Sequence, residues 1–221
     1  MHKTLGRAIF PKFLYKSGGS MRFTLNNKDN FFKDFDKAYI KPPKRLPLFI
    51  RLGGWISKKV IKKDVMIPKL LAWYPKTAVS SGIMESLVAH DDKEINKRML
   101  KIIRVQVSVM VACPFCIDMN AFEYDKAGLN IDEINAIREG NYNYSTFSDK
   151  EKVIMEYVSL VTKTPVIIPE EMVEKLHSNF SERGIVIIAS TIAQVNYWAR
   201  LIRSLGIPVA GFGDICKIEK S

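Results

Sequence analysis

Apolar residues return at helical spacing along most of the chain after residue 64. Between Glu94 and Ala112 they recur every three or four positions, a pattern typical of an amphipathic helix. The same spacing continues from Cys116 to Lys126, where Gly128 is a stop signal. No segment alternates apolar and polar residues as a half-buried strand does. The pattern therefore predicts an all-α fold.

The later helices are marked by residues that cap or start helices. They are the helix over 131–139 after Asn130, the helix to about Lys163 after the capping box of Ser148 and Glu151, the helix that starts at Pro169, and the long helix from Ser181 to Leu205. Together with the earlier stretches, they predict an all-helical bundle of six or seven helices.

Charge divides the chain into two parts. Residues 1–63 hold 16 Lys and Arg against 3 Asp and Glu, whereas residues 64–221 hold 18 against 20, and the whole chain has a net charge of +11. This asymmetry indicates a basic N-terminal extension, residues 1–63, joined to a near-neutral helical domain, residues 64–221. An anionic partner is expected for the extension only, and we expect no binding to nucleic acid.

The extension contains a candidate basic amphipathic helix from Leu48 to Lys63, in which apolar and basic residues interleave. Such a helix could make peripheral contact with an anionic membrane surface. The more common arrangement packs the apolar face on the protein's own domain and leaves the lysines in water. Gly53 and Gly54 weaken the helix prediction.

Three cysteines, at positions 113, 116 and 216, are too few for a disulfide framework, and no secretory signal is evident. The apolar runs are interrupted by charge well short of the roughly 18 residues that a membrane-spanning helix needs. The sequence therefore predicts a cytoplasmic location with no transmembrane segment.

The stretch VACPFCIDMN places Cys113 and Cys116 at a junction between two helices, with Pro114 at the first position of the second. The N-terminal end of a helix favours the reactive thiolate. A zinc site would need further ligands, but Cys216 and the three histidines, His2, His90 and His177, form no second cluster, and no metal or cofactor is expected. A buried structural pair remains an alternative, although a redox pair fits the spacing better.

The segment from about Leu70 to Pro208 resembles the carboxymuconolactone decarboxylase superfamily, in its alkyl hydroperoxidase D (AhpD)-like branch. The resemblance rests on KRMLKIIRVQVSVMVACPFCIDMNAFEYDKAGL, on IDEINAIREG and on IVIIASTIAQVNYWARLIRSLGIP. In the last of these, Asn196 and Arg200 match the family's Asn-x-x-x-Arg element. The resemblance implies an AhpD-like helical bundle that assembles as a homo-oligomer.

The resemblance also implies thiol-dependent reduction of hydroperoxides. Cys116 would be oxidised to a sulfenic acid, and Cys113 would serve as proton donor and resolving thiol, a chemistry suited to exposed thiols of low pKa. A lipoyl- or thioredoxin-like thiol protein would then reduce the disulfide.

Two positions depart from the family's proton relay. A glutamate twelve residues before the first cysteine is replaced by Lys101, and a histidine four after the second is replaced by Asn120. Glu123 is the best local substitute, since 116, 120 and 123 would share a helix face, although an ordinary solvated glutamate is the commoner case. Glu85 and His90 are weaker candidates.

Two functions follow from these observations. One is a peroxidase-like oxidoreductase that works through Cys116 and Cys113. The other is a non-catalytic member of the family that senses redox state or binds a partner. Both predict a reversible disulfide, so catalytic turnover separates them. Apolar residues on more than one face of the helix over 182–205 add to the expectation of a homo-oligomer.

Overall fold

The computed structural model describes residues 35–61, 63, 65–88 and 92–213. These residues form nine α-helices, one short 3-10 helix and no β-strand. The α-helices are α1 Leu48–Ile61, α2 Ile67–Leu71, α3 Pro75–Leu87, α4 Lys97–Met110, α5 Pro114–Ala121, α6 Ile131–Arg138, α7 Asp149–Thr162, α8 Glu170–Asn179 and α9 Glu182–Ser204, with the 3-10 helix at Asp125–Ala127. The predicted all-α class is confirmed.

Helix α4 is the centre of the bundle, where it packs against α5, α6, α7 and α9. Ile102, Ile103, Val105 and Val107 are all fully buried, although they point to different sides of the helix. A helix that is apolar on most sides is stable in water only when other helices surround it. The other helices are therefore arranged around α4.

Helix α9 packs along α4 and α7, and it buries Ile188, Ile192, Ala199 and Ile202. By length and apolar character it is the one helix in the described ranges that could cross a membrane. Core helices of globular proteins pass the same test, so this is weak evidence for a membrane span. In this fold α9 is a core helix.

The predicted boundaries agree best where capping residues define them. Asn130 and Ser148 each form a complete capping box, with Glu133 and Glu151 respectively. Arg98 of α4 then joins the two boxes, because its guanidinium donates to Glu133 at 2.6 Å and to Glu151 at 2.7 Å. One buried ionic cluster thus ties α4 to the starts of α6 and α7.

Three sequence predictions about helices differ from the structure. The helix expected from Cys116 to Lys126 ends at Ala121, and the chain then turns through a positive φ of 53° at Glu123. The predicted number of six or seven helices is too low, since the described residues form nine, and the five-residue α2 and the thirteen-residue α3 were not predicted separately. Pro169 is the residue before α8 rather than its first residue.

The described part of the basic extension packs on the helical domain. The Tyr39 backbone N–H donates to the Leu205 carbonyl at 2.9 Å. The Tyr39 ring lies against Gly206, which has a φ of +62° and no room for a Cβ. Residues 1–34 and 214–221, with His2, His90 and Cys216, lie outside the described residues.

Candidate functional site

The cysteine pair lies where α4 turns into α5. Ala112 has a φ of 51°, a left-handed conformation that is unusual for alanine and that reverses the chain direction between the two helices. Two hydrogen bonds hold this turn: the Cys113 N–H donates to the Ser108 carbonyl at 3.1 Å, and Arg203 of α9 donates to the Ala112 carbonyl. The turn is therefore fixed by both α4 and α9.

Cys113 and Cys116 form a disulfide with their Cα atoms 5.2 Å apart. Cys113 is the N-cap of α5, and its Sγ accepts the Cys116 backbone N–H at 3.3 Å, while Pro114 occupies the first helical position. This is the geometry that the sequence predicts for the pair. The disulfide closes within one helical turn, with the Cα separation normal for such bonds.

Both cysteines are buried, which corrects the expectation of exposed thiols. Cys113 is 0% and Cys116 is 1% exposed. They share an apolar cluster with Phe115, Ile202 and Phe212. Part of this cluster comes from the chain that follows α9, which is far away in sequence, so residue spacing near the cysteines could not indicate it.

The segment after α9, residues 207–213, is here called the C-terminal strap. The buried carboxylate of Asp118 accepts two of its backbone N–H groups, from Phe212 at 2.8 Å and from Gly213 at 2.9 Å. The Phe212 ring packs against Phe115 and Phe122, with ring centroids 6.5 and 5.8 Å apart respectively. Asp118 lies two residues after Cys116, so the strap is anchored beside the disulfide.

Sequence reasoning did not identify Asp118. The signal that could have found it is a carboxylate inside the otherwise apolar run PFCIDM, since a buried acid needs hydrogen-bond donors. The donors themselves are 94 and 95 residues away along the chain.

Asn120 lies one helical turn after Cys116. Its side-chain amide donates to Ser108 Oγ at 2.9 Å, and that hydroxyl donates to the Arg104 carbonyl at 2.7 Å. Ser108 also provides the carbonyl that accepts the Cys113 N–H. Asn120 therefore belongs to the polar network that supports the cysteine turn.

Lys101 is held at the C-terminal end of α5. Its ammonium donates to the Phe122 carbonyl at 2.7 Å, about 9 Å along the helix axis from Cys116. Burial, together with the nearby Arg104 charge, lowers the pKa of Lys101. The two substituted relay positions thus both lie at the C-terminal end of α5, Asn120 in its last turn and Lys101 at the carbonyl of its C-cap, Phe122.

The helical spacing that placed Glu123 on the face of Cys116 and Asn120 is wrong, because α5 ends before it. Its carboxylate pairs with Lys126 at 2.6 Å and is substantially solvent-exposed. Glu85 is linked to the site more closely. It accepts from Gln194 at 2.7 Å and from Trp198 Nε1 at 2.9 Å, and Trp198 packs on the cysteine cluster.

Asn196 and Arg200 lie on α9 and are joined to each other by a hydrogen bond. The Asn196 amide donates to the Ile192 carbonyl at 3.0 Å, and Arg200 donates back to the Asn196 side-chain oxygen. In the described part of the chain, no three His, Cys, Asp or Glu side chains group as metal ligands would.

No family model matches the chain. The chain is 19% identical over 184 residues to the uncharacterized protein YnjA of Escherichia coli (strain K12), an alignment that spans 82% of this chain and 97% of the relative. The similarity therefore runs through nearly the whole length of that relative.

Solved structures show the same fold. A peroxidase-related protein from Ralstonia eutropha JMP134, with the alkylhydroperoxidase AhpD core, superposes with a TM-score of 0.70 at 16% identity, over 82% of this chain and 97% of that one. The debrominase Bmp8, in complex with 2,3,4-tribromopyrrole, superposes with a TM-score of 0.68 at 15% identity, over 84% and 99%.

The protein thus has an AhpD-like helical fold with a disulfide-bonded Cys-x-x-Cys pair at the start of one helix. The resemblance seen in the sequence is confirmed at the level of the fold. One fold can serve several activities, as a debrominase among its neighbours illustrates. The choice of activity rests on the site.

Proposed function

We propose that the protein is an AhpD-like member of the carboxymuconolactone decarboxylase superfamily and reduces hydroperoxides through Cys116 and Cys113. The observation that carries the proposal is the disulfide at the N-terminal end of α5. In addition, Cys113 Sγ accepts a hydrogen bond from the Cys116 backbone N–H. A sulfur at this end of a helix is stabilised as a thiolate by the backbone N–H groups and the helix dipole.

The reaction has three steps. The Cys116 thiolate attacks the terminal peroxide oxygen and breaks the O–O bond, which gives a sulfenic acid and an alkoxide that takes a proton to become the alcohol. The Cys113 thiol then condenses with the sulfenic acid, forms the disulfide and releases water. An external dithiol returns two electrons and two protons by thiol–disulfide exchange.

Substrate and reductant both have to reach sulfurs that are buried in the closed structure. We expect displacement of the C-terminal strap to uncover them, because the strap is a non-helical segment held in the same cluster by Phe212 and by two hydrogen bonds to Asp118. A lipoyl- or thioredoxin-like protein is the expected class of reductant, since the disulfide can be attacked only by a thiol that enters this space.

The test is steady-state peroxide consumption with a dithiol as electron donor. Wild-type protein is expected to turn over, Cys116→Ser to be inactive and the matched control Cys216→Ser to keep the wild-type rate. Activity that survives Cys116→Ser would refute the proposal, because no other nucleophile is available in this mechanism.

The alternative function, a redox-sensing module without turnover, is favoured by one observation. The relay positions carry Lys101 and Asn120, and each is engaged in a hydrogen bond, to a main-chain carbonyl in one case and to Ser108 in the other. If this alternative holds, each Cys113–Cys116 pair would be oxidised once and could be reduced again. The steady-state rate of peroxide consumption would then equal that of the Cys116→Ser variant.

A further inference from the structure

Helix α1 exposes an apolar stripe on a strongly basic segment. Leu48, Leu52 and Trp55 are 78%, 58% and 60% exposed, so they do not pack on the helical domain. At about 100° per residue, these positions fall within a sector roughly 60° wide. They therefore form one continuous face, which contradicts, for these side chains, the expectation that the apolar residues of this helix pack inward.

The opposite side of α1 faces the domain. Ile50 is buried, and α1 packs against α2. The exposed apolar stripe is therefore fixed in an outward orientation by the attachment of the helix. Burial of three large apolar side chains against another surface would be favourable.

The charge around the stripe defines what that surface is. Residues 41–63 contain eight Lys and Arg and no Asp or Glu. Arg51 and Lys58 are exposed along one border of the stripe, and the Lys59 ammonium lies 5.4 Å from the centre of the Trp55 ring. An apolar centre with Trp, bordered by basic residues, is the composition of helices that lie in the interface of an anionic bilayer.

We propose that α1 binds the surface of anionic phospholipid membranes, with Leu48, Leu52 and Trp55 inserted below the headgroups and the basic residues among the lipid phosphates. The long basic side chains can reach the headgroups while their stems cover apolar surface. A membrane fits better than a folded protein partner, because basic residues occur along the whole of residues 41–63 and no acidic residue there would select one docking position on a protein surface.

The first test is sedimentation of the full-length protein with phosphatidylcholine vesicles, with and without about one third phosphatidylglycerol, at low and high salt. We expect binding only to the anionic vesicles, and release at high salt. Equal binding to both vesicle types, or none to the anionic vesicles, would overturn the proposal.

Two sets of variants locate the binding surface. Leu52→Ser with Trp55→Ser should weaken vesicle binding by about tenfold or more, whereas the matched pair Val166→Ser with Ile167→Ser, on an equally exposed loop, should bind as wild type does. Arg51→Glu with Lys58→Glu should also weaken vesicle binding by about tenfold or more. Lys76→Glu with Lys93→Glu makes the same change in net charge at exposed positions outside α1 and should leave binding as in wild type.

Normal vesicle binding by both α1 variants would place any membrane affinity outside α1 and contradict the assignment. Binding of the wild-type protein to RNA instead of vesicles would contradict it equally. Because all substituted side chains are exposed, the variants should keep the wild-type circular dichroism spectrum.

Discussion

At the scale of single residues, the chemistry depends on a few atoms around two sulfurs. Cys113 could be assigned as a helix cap from Pro114 alone, and the disulfide geometry agrees with that assignment. The burial of both sulfurs could not be predicted, because Phe212 and Ile202 come from distant parts of the chain. The role of Glu123 as a relay also rested on a helix that the structure ends two residues earlier.

The relay positions give a test at this scale. Replacing both substituted residues with the family's pair, Asn120→His and Lys101→Glu, should raise peroxide turnover by a factor on the order of 10², the usual worth of a positioned acid–base group. Steady-state kinetics against pH would show the added ionisation.

Glu123→Gln serves as the comparison for this experiment. It should change the rate little, because the Glu123 carboxylate pairs with Lys126 at the surface. If Glu123→Gln removed most of the activity, a relay through Glu123 would operate despite the helix break, and the expectation for the double variant would fail.

At the scale of elements, the long capped helices follow from the sequence, whereas the contacts between elements do not. Periodicity and capping boxes define α6 and α7 closely. The strap has no periodic pattern, and its two hydrogen bonds to Asp118 are contacts of long sequence separation. Local signals determine where helices begin and end, but packing determines what covers the cysteines.

The strap is expected to control access to the disulfide. Asp118→Asn weakens one of the two charge-assisted hydrogen bonds and removes the other, because the amide nitrogen cannot accept from a backbone N–H, at a cost of roughly 1 to 3 kcal/mol. The strap should then open more often, and reduction of the disulfide by a dithiol should become about tenfold faster. The rate can be followed by thiol labelling under conditions in which reduction is limited by opening.

Asp149→Asn, which removes an exposed carboxylate at the start of α7, is the matched control for this change. It should leave the reduction rate as it is in wild type. If the disulfide of the Asp118→Asn variant were reduced no faster than that of this control, the dithiol would reach the disulfide by a route that does not involve the strap.

The Arg98 cluster predicts a pH dependence of stability. Burial alone would raise the pKa of Glu133, but hydrogen bonds from Arg98, from Thr146 and from the Asn130 N–H outweigh it, so the pKa is lowered from its ordinary value of 4.5. A lowered folded-state pKa means that the ionised carboxylate stabilises the fold above about pH 4.5 and that this contribution is lost as the pH falls through the folded pKa.

Glu133→Gln should therefore lower the free energy of unfolding by roughly 1 to 3 kcal/mol at neutral pH. The difference from wild type should shrink as the pH falls below the ordinary glutamate value. Urea denaturation at several pH values measures both effects, with the exposed Glu139→Gln as control. If the difference in unfolding free energy between wild type and Glu133→Gln stayed constant down to pH 3, ionisation of Glu133 would not be its cause.

At the scale of the whole molecule, we propose that the chain is a homo-oligomer. Ile188, Ile192, Val195 and Ile202 of α9 are buried within the protomer, whereas other apolar residues of this helix are only partly buried. Val79, Ile83 and Leu87 form a further exposed apolar stripe along α3. Light scattering at micromolar concentration should give a multiple of 25.2 kDa, and Ile83→Glu with Leu87→Glu should reduce it. A monomeric mass for the wild-type protein would refute this expectation.

The most direct test of the peroxidase assignment is a single turnover on fully reduced protein, with one equivalent of an organic hydroperoxide and peptide mass spectrometry. Wild-type protein should form the Cys113–Cys116 disulfide and one equivalent of alcohol. Cys113→Ser should stop at a sulfenic acid on Cys116, which dimedone traps. Oxidation confined to Cys216, or peroxide consumption that persists in Cys116→Ser, would contradict the proposed chemistry.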